Sequence, residues 1–459
     1  QCFARPMVAA ISVAVSTGLF WACLGFVRAE MDSANRLSFW LPVWTAQAIL
    51  PVSFAVVTLR FIAAGGSTPR RALAATGMAL AAAVGFPLAP YAAQLAAPGI
   101  VLLLLAGVFG APIFVIMGGA TLLLLFAADV PVSAIAVETY RIVVSPAIAT
   151  IPLFTLTGYL LAEGDAGRRL LRLFRALFGW MPGGLAVAAT LVCAFFSTFT
   201  GASGITILAL GGLLLPMLVA SGYSPRFSVG LLTATGSIGL LFPPSLAVIL
   251  YGVVAHVPIP DLFRAGIIPG LVMVGAVAIF GLREGLRAET ARPRFDAAEA
   301  GAALSHAKWE VLLPVIALLS IFGGFATLME AAAITVVYTL GVQLFVHREP
   351  ALHRGLRQVF VTCVTLMGSI FVIIGVAMGL TGYLVDAEVP TLAARWVQAH
   401  VESRFLFLLA LNLFLLVVGC LMDIFSAIVV VVPLIMPIAE FYGIHPLHLA
   451  MIFLVNLEV

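Results

Sequence analysis

Long apolar runs recur along this chain from Met7 onward, and no other feature narrows its possible folds as much. A helix needs roughly 17–25 such residues to cross the hydrocarbon of a bilayer. Met7–Val27, Leu41–Ile62, Ala72–Pro90, Pro146–Ala162, Phe227–Ala255, Ala265–Leu282, Trp309–Ala326, Met329–Val346 and Arg357–Thr381 all qualify. Pro98–Ala127 is too long for one untilted span, and Gly110-Ala111-Pro112 divides it into two short helices. Only 9% of the 459 residues are charged, against 63% hydrophobic. A soluble domain carries roughly 25% charge to keep its surface hydrated, so most of this surface must meet lipid. The five cysteines (Cys2, Cys23, Cys193, Cys363, Cys420) lie in or beside apolar runs without a CxxC pair. They read as small buried hydrophobes, not as a disulfide or metal framework. The sequence opens at Gln1 and stops inside an apolar segment at Val459, so it reads as a piece of a longer protein.

Two further apolar stretches, residues 184–220 and 405–440, are interrupted at their centres by small and polar residues. They recur in a shared order. Residues 98–282 read as three helices, a broken hairpin, a proline-broken span and a helix. After a linker at 283–308 the series restarts over 309–459, with its own broken hairpin. If both hairpins are re-entrant, each unit crosses the membrane an odd number of times and the two units are inverted, as in many secondary transporters. The expected fold is therefore an all-α polytopic membrane protein of inverted repeats, with two re-entrant hairpins and broken helices.

Arginine placement gives this topology a direction. With the first hairpin entering from the cytoplasm, 17 of the 23 lysines and arginines fall inside, as the positive-inside rule requires. Arg168, Arg169, Arg172 and Arg175 are spaced for one face of a helix over Gly167–Trp180, with Leu170, Leu171, Phe174 and Leu177 opposite. Such a helix lies flat at the interface with its basic face towards headgroups; an ordinary surface helix has the same pattern. Pro390–Arg404 is a weaker counterpart.

Polar chemistry enters the membrane at three places. The first hairpin reads Ser197-Thr198-Phe199-Thr200-Gly201-Ala202-Ser203-Gly204-Ile205-Thr206 at its centre. Unwound backbone survives at membrane depth only where protein or a water-filled cavity satisfies it. The carbonyls and hydroxyls of such a tip suit a hard cation, and the helix that follows points N–H groups at an anion. The competing reading is close helix packing through small residues and hydroxyls. The next span runs from Gly236-Ser237-Ile238-Gly239 to Pro243-Pro244-Ser245. The two prolines remove helix donors and free carbonyls near residues 239–240. The second hairpin offers Gly419-Cys420-Leu421-Met422-Asp423, followed by Ser426. Asp423 is either an intramembrane functional acid or a cap on the second arm. Glu163, Asp165 and Glu330 read as helix caps.

These motifs, in this order, resemble the membrane subunits of tripartite ATP-independent periplasmic (TRAP) transporters. Ile151-Pro152-Leu153-Phe154-Thr155-Leu156-Thr157-Gly158 is similar to the family's IPxFxLxG helix, and Pro182-Gly183-Gly184 to its PGG turn. Thr200-Gly201-Ala202-Ser203 stands at its serine-rich tip, and Gly236 through Pro243-Pro244-Ser245 and Tyr251-Gly252 match its GxxGxxxPPS…YG span. Gly419–Asp423, Pro433, Pro437 and Gly443-Ile444-His445-Pro446 follow in order, and Asn456-Leu457-Glu458 opens the last motif. Thr200 and Ala202 depart from the usual serines, and a second TPPxG-type break would fall beyond Val459. Residues 1–66 resemble the last helices of the small membrane subunit, joined by a connecting helix at 67–97. The resemblance implies an elevator-type, sodium-coupled importer in the bacterial inner membrane. It would take up small organic anions from a periplasmic solute-binding protein, without a cofactor. Sodium is then expected at Thr200, Gly201, Ser203, Gly236, Ser237 and Gly239, and at Gly419, Asp423 and Asn456. Substrate is expected at Ser203, Gly204, Thr206, Pro243, Pro244 and Ser245.

Rival classes are weaker. Gly201-Ala202-Ser203-Gly204 fits the GxSG pattern of an intramembrane serine protease, with His256 as a possible base. A four-residue match in a chain rich in glycine is weak, and His256 lies where a span meets a loop instead of in an embedded helix. HExxH, P-loop and dinucleotide-binding motifs do not occur, and nothing suggests nucleic acid as a partner. A purely structural scaffold leaves the polar tips unexplained.

Overall fold

The computed structural model describes residues 4–33, 35–38, 40–64, 68–85, 91–201, 203–287, 294–401 and 403–458. Apart from a short antiparallel ribbon, β1 (Arg36–Ser38) with β2 (Leu41–Pro42), the regular structure described is helical. Among these residues ten helices are long and apolar enough to cross a bilayer, or up to eleven if a bent pair is one span. The chain divides into two compact units, residues 1–145 with 369–393 and residues 146–368 with 394–459.

The first unit contains α1 (Ala4–Met31), α2 (Val43–Gln47), α3 (Ile49–Ala64), α4 (Thr68–Gly85), α5 (Ala92–Val108), α6 (Ile113–Ala127) and α7 (Ala134–Val143). The later part of a long helix, Pro350–Asp386, completes it. The expected division of 98–127 is present: α5 and α6 are separated at Gly110, whose φ of 95° only glycine adopts freely. Leu19, Ala106, Val115, Ala136 and Val376 form the centre of the core. A Cβ on Gly118 would lie 2.9 Å from Val376 Cγ1 and 3.1 Å from Leu19 Cδ1, so three helices converge on one small residue. Thr58 Oγ1 donates to Ser16 Oγ at 3.0 Å, joining α3 to α1. Small-residue packing and interhelical hydroxyl bonds of this kind hold helices together where lipid removes the hydrophobic drive. The N-terminal helices thus bury a face against α6 and the long helix. The apolar run expected at 72–90 is α4 up to Gly85, and 86–90 lie outside the described residues.

The second unit opens with α8 (Pro146–Glu163) and α9 (Ala166–Phe178), then α10 (Gly184–Thr200) and α11 (Ser203–Ala220). Next come α12 (Pro225–Ile238), a 3-10 turn (Gly239–Leu241) and α13 (Leu246–Val254), bent by 49° at the break. Then follow α14 (Ile259–Arg287), α15 (Ala297–Phe322), α16 (Leu328–Gly341) with a π turn (Val342–Val346), and α17 (Pro350–Asp386). The last four are α18 (Val389–His400), α19 (Arg404–Leu421), α20 (Ile424–Phe441) and α21 (Pro446–Glu458). Residues 283–287 and 297–308 of the expected linker extend α14 and α15 as helix. Leu246–Leu250 of α13 are all 0% exposed and lie at the heart of this unit. Thr327 and Glu330 form a reciprocal capping box at the start of α16. Asp165 precedes α9 without accepting a cap bond and instead lies 3.5 Å from Arg168. Glu163 ends α8, where the free groups are carbonyls that a carboxylate cannot satisfy.

The basic face expected on α9 is not uniform. Arg168 and Arg172 are exposed, but Arg169 turns inward. Its Nη1 lies 2.6 Å from Glu349 Oε1 and its Nη2 2.7 Å from Glu310 Oε1. The Glu310 and Glu349 side chains are 1% and 6% exposed. Asp165 N also donates to Glu349, and Arg169 Nη2 to Gln343 Oε1 at 3.4 Å. His347 Nε2 sits 3.2 Å from Glu310 Oε1 without hydrogen-bond geometry. Adjacent positions on a helix differ by about 100°, so 169 falls beside buried Leu170 and Leu173 while 168, 172 and 175 face out. A guanidinium shared by two carboxylates therefore fastens α9 to α15 and to the turn before α17.

Candidate functional site

Composition breaks the helices where the site forms. α10 ends because Gly201 takes a φ of 68°, turning the chain left-handed. Ala202 lies outside the described residues, and α11 begins at Ser203. Thr200 Oγ1 and Thr206 Oγ1 are 2.8 Å apart, a buried bond that closes the tip. Gly158 of α8 lies so near that a Cβ would be 2.7 Å from Thr200 N and Cα. A Cβ on Gly201 would be 2.0 Å from Leu246 Cδ1. The hairpin tip is thus held between the first glycine-bearing motif and the start of α13.

The break after α12 faces the same tip. Ser197 Oγ accepts from Gly239 N at 3.0 Å. Thr198 Oγ1 shares its proton between Ala194 O at 2.8 Å and Gly239 O at 3.1 Å. The carbonyl expected to be freed at residue 239 is taken up by Phe242 N at 3.0 Å within the break, and the hairpin hydroxyl adds a second bond to it. A Cβ at Gly239 would stand 2.1 Å from both Ala194 O and Ser197 Oγ, so only glycine permits the approach. At Gly236 a Cβ would lie 2.8 Å from Ile207 Cγ1 and 3.3 Å from Ser203 O. Pro243, Pro244 and Ser245 are buried, and Ser245 Oγ has no hydrogen-bond partner among the described residues. Gly204 is exposed at the tip.

The second hairpin contributes differently. Ser237 Oγ donates to Glu458 O at 2.9 Å, linking α12 to α21. Asn456 Nδ2 donates to Asn412 Oδ1 at 2.7 Å and to Ile452 O at 2.8 Å. Gly419 packs on the same stretch: its Cβ would be 3.4 Å from Asn456 O. Asp423 Oδ2 accepts from Phe425 N and Ser426 N, both at 3.1 Å, and Oδ1 from Ser426 Oγ at 2.6 Å. Of the two readings left open for Asp423, the cap is the one the structure displays. The geometry joins Thr200, Gly201, Ser203, Thr206, Gly236 and Gly239 at one place. Ser237, Asn456 and Gly419 meet at α21, while Asp423 bonds only within its own break.

Four further polar residues stand at this site without being among the expected ligands. Ser197 and Thr198 belong to the hydroxyl-rich run yet lie within the last turns of α10, not in the loop. Asn412 is a lone amide in the apolar helix α19, which is itself a signal. Glu458 is buried, and neither carboxylate oxygen has a partner among the described residues. A cluster of hydroxyls, carbonyls and amides of this kind suits a hard, weakly polarising cation or an anion at a helix N-terminus. Among the described residues no group of three or more His, Cys, Asp or Glu is arranged for a transition metal.

Residues 99–459 match the family profile described as "Tripartite ATP-independent periplasmic transporter, DctM component". The chain belongs to this family. It is 34% identical over 345 residues to the C4-dicarboxylate TRAP transporter large permease protein DctM of Pseudomonas aeruginosa, covering 75% of this chain and 80% of that protein. It is also 31% identical to the isethionate TRAP transporter permease protein DctMQ of Oleidesulfovibrio alaskensis, over 96% of this chain and 71% of the relative. A third relative, the ectoine/5-hydroxyectoine TRAP transporter large permease protein UehC of Ruegeria pomeroyi, is 30% identical over 65% of this chain and 70% of its own length. A TRAP permease of this type is a multi-pass protein of the bacterial inner membrane and not an enzyme. The protease reading of Gly201–Gly204 is thereby set aside: Ser203 opens α11 at a packed hairpin tip, and His256 is an exposed residue after α13.

Proposed function

We propose that the chain is a sodium-coupled importer of small organic anions, carboxylates in particular, which it receives from a periplasmic solute-binding protein. The observation that carries this reading is the meeting of hairpin tip and helix break, with Thr198 Oγ1 on Gly239 O and Ser197 Oγ on Gly239 N. Backbone oxygens and hydroxyls gathered there cage a cation without an ionised side chain at the tip. Thr200, Gly201, Ser203, Gly236, Ser237 and Gly239 form the first sodium site, and Gly419, Asp423 and Asn456 contribute to a second. Bound sodium orders the loop that presents Ser203, Gly204, Thr206, Pro243, Pro244 and Ser245 to the substrate carboxylate, so ion and substrate affinities rise together. The names of the relatives, which concern C4-dicarboxylates and isethionate, support an anionic substrate.

Residues 1–66 act as the last helices of a fused small subunit, 67–97 as its connector, and 98–282 and 309–459 as inverted repeats flanking 283–308. Alignment of the DctMQ relative along 96% of the chain supports the fusion, since the family profile begins at residue 99. The hairpin-bearing part moves as an elevator. Proteoliposomes supplied with the binding protein and a labelled C4-dicarboxylate or isethionate test the reading. Uptake should require an inward sodium gradient, and Ser237→Leu should weaken sodium dependence in a folded protein. Uptake untouched by removing sodium, or driven equally by a proton gradient alone, refutes it.

A further inference from the structure

A cavity of about 450 Å³ opens beside α9, away from the hairpin tip. Its charged wall carries Arg168, Arg172 and Arg175 of α9 and Arg294 ahead of α15, against Asp296 and Glu299. Both acids are engaged. Asp296 caps α15 through Ala298 N and Glu299 N, and Glu299 holds Arg172 by paired bonds of 2.7 and 3.0 Å. Arg168 is 72% exposed and only loosely paired, at 3.5 Å, with Asp165. Arg175 and Arg294 have no ion pair among the described residues. The opposite wall is apolar, made by Leu213 and Met217 of α11. Trp180, half exposed, stands at the rim with its indole N–H on Leu177 O.

We infer that this cavity is a binding site for an anionic phospholipid, whose phosphate lies among Arg168, Arg175 and Arg294 and whose acyl chain lies along α11. A free anion would use the arginines but not the apolar wall, which continues along a helix long and apolar enough to cross a bilayer. Tryptophan at the rim fits the headgroup level, where its amphipathic ring is favoured. The Arg172–Glu299 fork fixes the two sides of the cavity at a set width, so the charged wall is formed before the lipid arrives. Because α11 is the second arm of the first hairpin, the lipid would sit on the element that carries Ser203 and Thr206.

Native mass spectrometry of the full chain in detergent, titrated with phosphatidylglycerol, phosphatidylcholine or inorganic phosphate, tests the site. Phosphatidylglycerol should be retained in preference to phosphatidylcholine, and excess inorganic phosphate should not displace it. An arginine near the lipid surface is worth about five-fold in affinity, so Arg175→Gln with Arg294→Gln should lower retention roughly 25-fold. Arg175→Lys with Arg294→Lys should keep most of it, and this pair decides the matter if the glutamine variant does not fold. Equal retention of the two lipids, or undiminished binding by the folded glutamine variant, overturns the proposal. Displacement by phosphate alone marks a free-anion site and overturns the lipid assignment.

Discussion

Replacing Arg169 with methionine removes the one guanidinium shared by Glu310 and Glu349 while keeping most of the side chain's volume. Both carboxylates are nearly inaccessible and lie 2.7 and 2.6 Å from its nitrogens. Breaking a buried pair in this way costs about 3–5 kcal/mol. Arg169→Met should therefore be strongly destabilised. Adding Glu310→Gln and Glu349→Gln should restore most of the loss at pH 7. Cys193 and Cys363 are buried in the fold, so the rate at which a thiol-reactive dye labels them on heating reports unfolding in detergent. A variant as stable as the parent at pH 7, or a defect unchanged by the glutamine pair, would refute the ion-pair account.

Three other outcomes are expected. Burial, and then the charge of Arg169, hold His347 below its ordinary pKa, outweighing the upward pull of Glu310 and Glu349, with His306 adding to the downward shift. The unfolded chain then binds the extra proton more readily. This contribution to stability is complete above about pH 6.5 and is lost as pH falls below it; a His347→Gln variant should show a flatter stability profile there, and an unchanged profile would exclude the histidine. Gly239→Ala should push α12 off α10, given the 2.1 Å approach to Ala194 O, and abolish uptake; a variant that transports at the parent rate would show that the break is not held by this contact. For topology, a single cysteine at 258 should react with an impermeant reagent from outside and one at 290 should not, and the reverse pattern sinks the inverted arrangement.

Breaks in the helices were legible because their causes are local. Gly110, Gly201 and the Pro243-Pro244 pair interrupt a helix through their own backbone chemistry, whatever surrounds them, and each marks a break in the structure. The Thr327–Glu330 box is equally local. Asp165 misled for a related reason: an acid at a helix start is a cap only if its side chain turns back, and a nearby arginine competes for it. The partners of Arg169 were beyond reach, since Glu310 and Glu349 lie 141 and 180 residues away. Its spacing with Arg168, Arg172 and Arg175 suggested one solvated face, and only tertiary packing separates 169 from the others. At the candidate site, the run from Ser197 to Thr206 announced itself by composition. Which hydroxyl meets which carbonyl depends on how closely α10 and α12 approach, and that distance is set by Gly239, 41 to 45 residues away in the chain from its contacts on α10.

Those glycines also govern how the protein can be altered and instrumented. Where α8, α10, α12 and α13 meet, main chain lies against main chain at Gly158 and Gly239, and against Leu246 at Gly201. Such contacts are the same for every choice of side chain elsewhere, so redesign of selectivity has no purchase on them and must work through the hydroxyls and amides around them. A cysteine for a spin label or fluorophore placed at any of the three would destroy what it was meant to watch. Gly212 of α11 and Gly230 of α12 lie on the hairpin and on its neighbour, and a Cβ at either meets no other atom within 4 Å. Reporters at those positions would follow the hairpin and its neighbour while leaving the close-packed backbone as it is.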